Sequence, residues 1–217
     1  MDVVEAGLGG TTDPKFVVSY GNDGGTGIDG IIASVSSTNV ITTGGLTALD
    51  SWSTPIAGFG IDIPIFASYD SSSDRVVWMY RRNSTLTPTY LVKAVSGTAF
   101  SGTGTPTAMT GPTELSGFNL IVGTTTGDGR AVAFGLELLS ASTITGIAGT
   151  IVPGSNTLTL GVGATGQFQV NGASVSRYPW EIVRSPTSSD DFYYTAPSIF
   201  PTGSLQTVNV TGTVFSY

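Results

Sequence analysis

The sequence predicts an all-β chain arranged as a four-bladed β-propeller, on three observations: glycine outweighs charge, the apolar stretches are strand-length, and one pattern recurs four times. Of 217 residues, 30 are glycine and only 11% are charged, against about 25% charged in an average soluble domain. That balance favours short strands and turns over helices. A β-prone stretch headed by a charged residue occurs as Lys15-Phe16-Val17-Val18-Ser19-Tyr20, Arg75-Val76-Val77-Trp78-Met79-Tyr80, Arg130-Ala131-Val132-Ala133-Phe134-Gly135 and Asp191-Phe192-Tyr193-Tyr194-Thr195. The spacings are 60, 55 and 61 residues, a period that suits one four-stranded blade per repeat.

Each repeat opens with a hairpin. A short apolar strand and a polar turn carrying Asp precede every one of these stretches: Val3-Val4 before Asp13, Ile65-Phe66 before Asp70 and Asp74, Leu120-Ile121-Val122 before Asp128, and Ile182-Val183 before Asp190. A third strand then turns into a fourth across Ala33 to Val40, Lys93 to Phe100 and Val208 to Phe215. In the third repeat the turn is Ala148-Gly149-Thr150 or, better for the spacing, Pro153-Gly154-Ser155-Asn156. A Gly-rich crossing follows the fourth strand. The chain is thus read as one domain with repeats at 1–50, 62–110, 117–163 and 178–217, about 54 residues each. With no strand exchanged between the first and last blades, closure rests on packing, and Tyr20, Trp78, Tyr80, Phe134 and Tyr193 are expected to fill the interfaces. A jelly roll or β-sandwich is the competing architecture. Neither has a reason to repeat at this period.

The missing residue types exclude several chemistries. With no His and no Cys, Ser-His-Asp and Cys-His nucleophiles, common zinc sites and disulfides are out. Lys and Arg total 8 against 15 Asp and Glu, for a net charge of −7, so no nucleic-acid partner is expected. No apolar run reaches the roughly 18 to 20 residues of a membrane-spanning helix, and the first residues lack the basic start of a secretory leader. No membrane partner and no cofactor are expected.

Carboxylates are the remaining chemical resource. Asp13, Asp70, Asp74, Asp128, Asp190 and Asp191 sit in the hairpin turns, where Asp bonds its own backbone. A Ca²⁺ site is the alternative, but Asp70 to Asp74 lacks the glycine and distal glutamate of an EF-hand loop. Glu114, Glu137 and Glu181 fit no glycosidase motif, and Arg75, Arg81, Arg82, Arg130, Arg177 and Arg184 form no evident carboxylate-gripping cluster. The glycines of Gly21 to Gly27 run from strand to strand, so no phosphate-binding helix follows them. Neither catalytic nor metal-binding residues are assigned. The candidate partner contacts are Arg81 and Arg82, the adjacent basic pair, and Trp52 and Phe59, in a connector from Asp50 to Asp62. The two aromatics either serve as exposed platforms or, the reading we favour, tuck against the rim.

The stretch from Tyr69 to Tyr80, Tyr-Asp-Ser-Ser-Ser-Asp-Arg-Val-Val-Trp-Met-Tyr, with the Val95 to Thr98 turn after it, resembles the degenerate propeller repeats of phage and prophage virion proteins. The resemblance is clearest in the second repeat and weakest in the third. It implies a structural virion protein without enzymatic activity, most specifically a capsid decoration or cement protein. Its partners would be the major capsid protein or other virion proteins, in many copies on a lattice, and its location the virion after synthesis in the host cytoplasm. A carbohydrate- or receptor-binding tail-associated adhesin is the alternative. The first repeat starts almost at Met1, with no shaft ahead of it, which favours a stand-alone module. The Asp-box pattern of sialidases is absent.

Overall fold

The computed structural model describes residues 2–5, 15–22, 26–52, 65–70, 72–82, 87–109, 118–125, 129–137, 143–161, 167–170, 181–185, 191–196, 204–211 and 214–216. Among the described residues there are nineteen strands and no helix. They form four antiparallel sheets in chain order. Sheet 1 holds β1 (Asp2–Glu5), β2 (Lys15–Gly21), β3 (Gly27–Val35), β4 (Ile41–Thr43) and β5 (Thr47–Ser51). Sheet 2 holds β6 (Ile65–Asp70), β7 (Arg75–Arg82), β8 (Thr87–Ser96), β9 (Ala99–Ser101) and β10 (Thr107–Ala108). Sheet 3 holds β11 (Phe118–Thr125), β12 (Arg130–Glu137), β13 (Thr143–Ile151), β14 (Leu158–Leu160) and β15 (Gln167–Val170). Sheet 4 holds β16 (Glu181–Arg184), β17 (Asp191–Ala196), β18 (Ser204–Thr211) and β19 (Val214–Ser216).

The four recurring stretches are the second strands of the four sheets, and their register repeats. Lys15, Arg75, Arg130 and Asp191 pair with Ser34, Ala94, Thr150 and Asn209 of the third strands. One residue further along, Val35, Val95, Ile151 and Val210 pair with Ile41, Phe100, Leu158 and Phe215 of the fourth strands. The third repeat turns at Pro153 to Asn156, between β13 and β14.

The fourth strand differs from the expectation. In sheets 1 to 3 it is split into two short pieces that lie on the same third strand: β4 and β5 on β3, β9 and β10 on β8, β14 and β15 on β13. The glycines read as a crossing to the next repeat fall in these breaks. At Gly44 a Cβ would collide with the Thr98 carbonyl, and at Gly102, where φ is +83°, with the Asn156 amide. The breaks of sheets 1 and 2 therefore seat the turn between third and fourth strands of the following sheet, and glycine is required by the close backbone approach at Gly44 and by the positive φ at Gly102.

The core lies between sheets. Successive strand residues face opposite sides, yet Val76, Val77, Trp78, Met79 and Tyr80 of β7 are all at most 2% exposed, so both faces of sheet 2 are covered. Val76, Trp78, Tyr80 and Leu91 pack with Val17, Ile28, Ile32 and Leu49 of sheet 1. Val77, Met79, Tyr90 and Val92 pack with Ile147, Ile151 and Leu158 of sheet 3. The first strands also lie side by side, β6 touching β1 and β11, and β11 touching β16. Of the aromatics expected at interfaces, Trp78 and Tyr80 are there and Tyr20 is part-buried. The side chains of Phe134 and Tyr193 lie outside the described residues.

Candidate functional site

Charged and polar groups between the sheets are used for joining them. Across the seam between sheets 1 and 2, Asp50, 7% exposed, accepts a 2.7 Å hydrogen bond from the Tyr80 hydroxyl. Arg82 Nε stands 3.0 Å from the same carboxylate oxygen, and its Nη2 donates to the Ser51 carbonyl at 3.1 Å. Trp52 stacks on Tyr80 with ring centroids 6.5 Å apart. Burial, and then the neighbouring Asp50 charge and hydrogen bond, raise the Tyr80 phenol far above its ordinary value, against a smaller opposing pull from Arg82.

Across the seam between sheets 2 and 3, Asp70 is fully buried. It takes bonds from Ser72 Oγ and the Ser73 amide at 2.9 Å within its own turn, and from the Gly129 amide of the next sheet, also at 2.9 Å. This is the turn chemistry that the Asp-bearing hairpins imply, extended to hold a second sheet. Asp74, at a φ of +53°, accepts from the Tyr69 hydroxyl at 2.8 Å. Burial leads in raising the Tyr69 phenol, with Asp74 and Asp70 adding to it. Thr125 donates through its amide to Ser68 Oγ at 2.9 Å and through its hydroxyl to the Tyr69 carbonyl at 2.8 Å.

The candidate contacts thus divide. Trp52 is only 8% exposed and serves packing, the tucked arrangement rather than the exposed platform. The Arg82 side chain is 41% exposed but engaged with Asp50. Arg81 pairs through its backbone with Pro88, and its side chain lies outside the described residues, as do Phe59, Asp13, Asp128, Asp190, Glu114 and Arg177. Glu137 ends β12 and Glu181 begins β16, again without described side chains. Among the described residues no three Asp or Glu side chains gather as metal ligands.

Sequence reasoning missed three exposed apolar side chains. The exposed large hydrophobic side chains among the described residues are Val40, Ile41 and Leu46, at 57%, 67% and 60%. All three belong to β4 or its flanks, and β4 ends the strand order of sheet 1. A signal was present, because no charged residue occurs between Asp29 and Asp50. Two residues in the register of Ile41 are packed against their neighbours: the part-buried Phe100 meets the Trp78 ring edge-on at 5.3 Å, and Leu158 is 9% exposed beside Tyr90. Comparison with protein-family models, curated proteins and solved structures found no match for this chain.

Proposed function

We propose that the chain is a four-bladed β-propeller serving as a structural virion protein, one that decorates or cements a phage capsid and attaches by the outer edge of sheet 1. The exposure of Val40 and Ile41 at the edge strand β4, with Leu46 beyond its end, carries this reading. An edge strand with exposed apolar side chains in an uncharged stretch lacks the charges that block strand pairing. A shell-protein segment adding to β4 would gain backbone hydrogen bonds and cover Ile41, and many copies on a lattice would multiply a weak contact by avidity.

Four features support the ring: four sheets, one strand order, one register, and first strands lying side by side. The face of sheet 1 turned away from sheet 2 carries Phe16, Val18, Tyr20 and Ile31, all part-exposed, and sheet 4 packs there when the ring closes. Its titratable groups then serve structure rather than turnover.

The test is retention on purified parent particles across a salt series. An apolar contact holds from low to moderate salt because few ion pairs are screened, and Ile41→Asp releases the protein. Release of the unaltered protein at moderate salt refutes the apolar interface. Selective glycan binding with no particle association puts the adhesin reading first.

A further inference from the structure

β4 lies on β3 through the pairs Ala33 with Thr43, Ser34 with Thr42 and Val35 with Ile41. Two bonds beyond its ends fix which way its backbone points. The Gly44 amide donates to the Ile32 carbonyl at 2.8 Å, and the Ser36 amide donates to the Val40 carbonyl at 2.9 Å. Bonded and non-bonded pairs alternate along an antiparallel ladder, so Ser34 with Thr42, midway between those two, is a bonded pair. The N–H and C=O groups of Thr42 therefore face β3, and those of Ile41 and Thr43 face outward. Among the described residues no strand lies on that side, because β4 ends the strand order of sheet 1, and all three of its residues are exposed.

The corresponding edge of sheet 2 is closed off. Between β9 and β10 the Thr105 and Thr107 hydroxyls donate to the Thr103 and Thr105 carbonyls at 3.4 and 3.0 Å, and Pro106 has no N–H to offer. β4 has neither device, and no charged residue occurs between Asp29 and Asp50. A bare edge of this kind pairs with another strand.

We infer that the free protein pairs β4 antiparallel with β4 of a second copy, across a two-fold axis at Thr42. Ile41 then exchanges both of its outward backbone bonds with Thr43 of the second copy, and Thr43 does the same with Ile41 of the second copy, so every outward group of β4 is satisfied. Thr42 stands opposite itself as a non-bonded pair. A two-fold contact sets each surface against its own copy, so a charge beside the axis would face its like and be repelled. In a chain of net charge −7, the uncharged run from Gly30 to Leu49 is what lets two copies meet here. So short a ladder makes a weak dimer, one that yields the edge to a shell segment on the particle. Only that exchange rests on the proposed shell reading.

The chain has no cysteine, so a single Thr42→Cys substitution reports on the axis. Opposed residues of a non-bonded pair stand about 4.5 Å apart at Cα, inside the roughly 4.4–6.8 Å that a disulfide spans. Mild oxidation of the full chain is expected to link Thr42→Cys into a dimer at least about tenfold faster than Gly45→Cys, whose copies would stand about 20 Å apart. Sedimentation of the unaltered chain should show monomer giving way to dimer, and to nothing larger, with a midpoint at about 0.1 mM. Thr42→Lys sets two ammonium groups at the axis and should stay monomeric with an unchanged circular dichroism spectrum. A monomer at every concentration, association beyond the dimer, equal linking of the two cysteine variants, or a dimeric Thr42→Lys overturns the inference. Retention on particles is scored apart: a dimer that fails to bind them removes the shell reading and leaves self-pairing standing, and a monomer that binds them does the reverse.

Discussion

The Trp78 indole N–H donates to Ser19 Oγ across 2.7 Å, and both residues are fully buried. They lie on the second strands of sheets 2 and 1, so one polar bond sits inside the apolar layer between repeats. An indole N–H left without a partner there would lose its water without replacement. Ser19→Ala is expected to lower the unfolding free energy by about 1–3 kcal/mol, measured by urea denaturation. A cycle with Trp78→Phe should show coupling, since the second change removes the stranded donor.

Val77 is fully buried on the opposite face, against sheet 3. Truncation to Ala removes two methyl groups from a packed layer and is expected to destabilise by about 1–3 kcal/mol, read from the denaturant midpoint at constant slope. A neutral result would place Val77 outside the core.

Adjacent glycines should behave oppositely. A Cβ at Gly44 meets the Thr98 backbone carbonyl, while at Gly45 it meets nothing within 4 Å. Gly45→Ala is expected to be neutral or to stabilise by up to about 1 kcal/mol through the unfolded chain. Gly44→Ala must push sheet 2's turn away and should destabilise. Thermal melts of the two variants side by side decide it.

The protein should lose stability in alkali beyond the ordinary tyrosine range. Tyr80 and Tyr69 have phenols raised above the usual 10.0. Above that value the unfolded chain releases their protons while the folded chain keeps them, so stability falls with rising pH and is fully present below it. Tyr80→Phe should flatten the decline, leaving a residual slope from Tyr69. Unfolding curves between pH 8 and about 12 that show no decline would refute the burial of Tyr80.

The second strands were legible because β7 is covered on both faces, which writes an unbroken run, Val76 to Tyr80, into the chain. The short fourth strands were not. Ile41 to Thr43 is exposed throughout, so no alternation marks it, and the neighbouring glycines read as a linker when they are contact points. Arg82 looked like a free partner contact because Asp50, which holds it, lies 32 positions earlier. Its bond to the Ser51 carbonyl depends on the same tertiary placement. Asp70 was legible as a turn residue from the serines beside it, but its bond to Gly129, 59 positions away, was not.

The glycine breaks give the series of sheets a direction. The break at Gly44 takes the turn at Thr98, and the break at Gly102 takes the turn at Asn156, so the first repeat offers a socket to the second, and the second offers one to the third. A chain emerging from the ribosome presents every such socket before the plug that enters it. Assembly can thus proceed one repeat at a time onto finished neighbours, with loop closures no longer than about one repeat period. An inserted or deleted whole repeat would preserve the fit on both sides, whereas a repeat reversed in orientation would meet socket with socket.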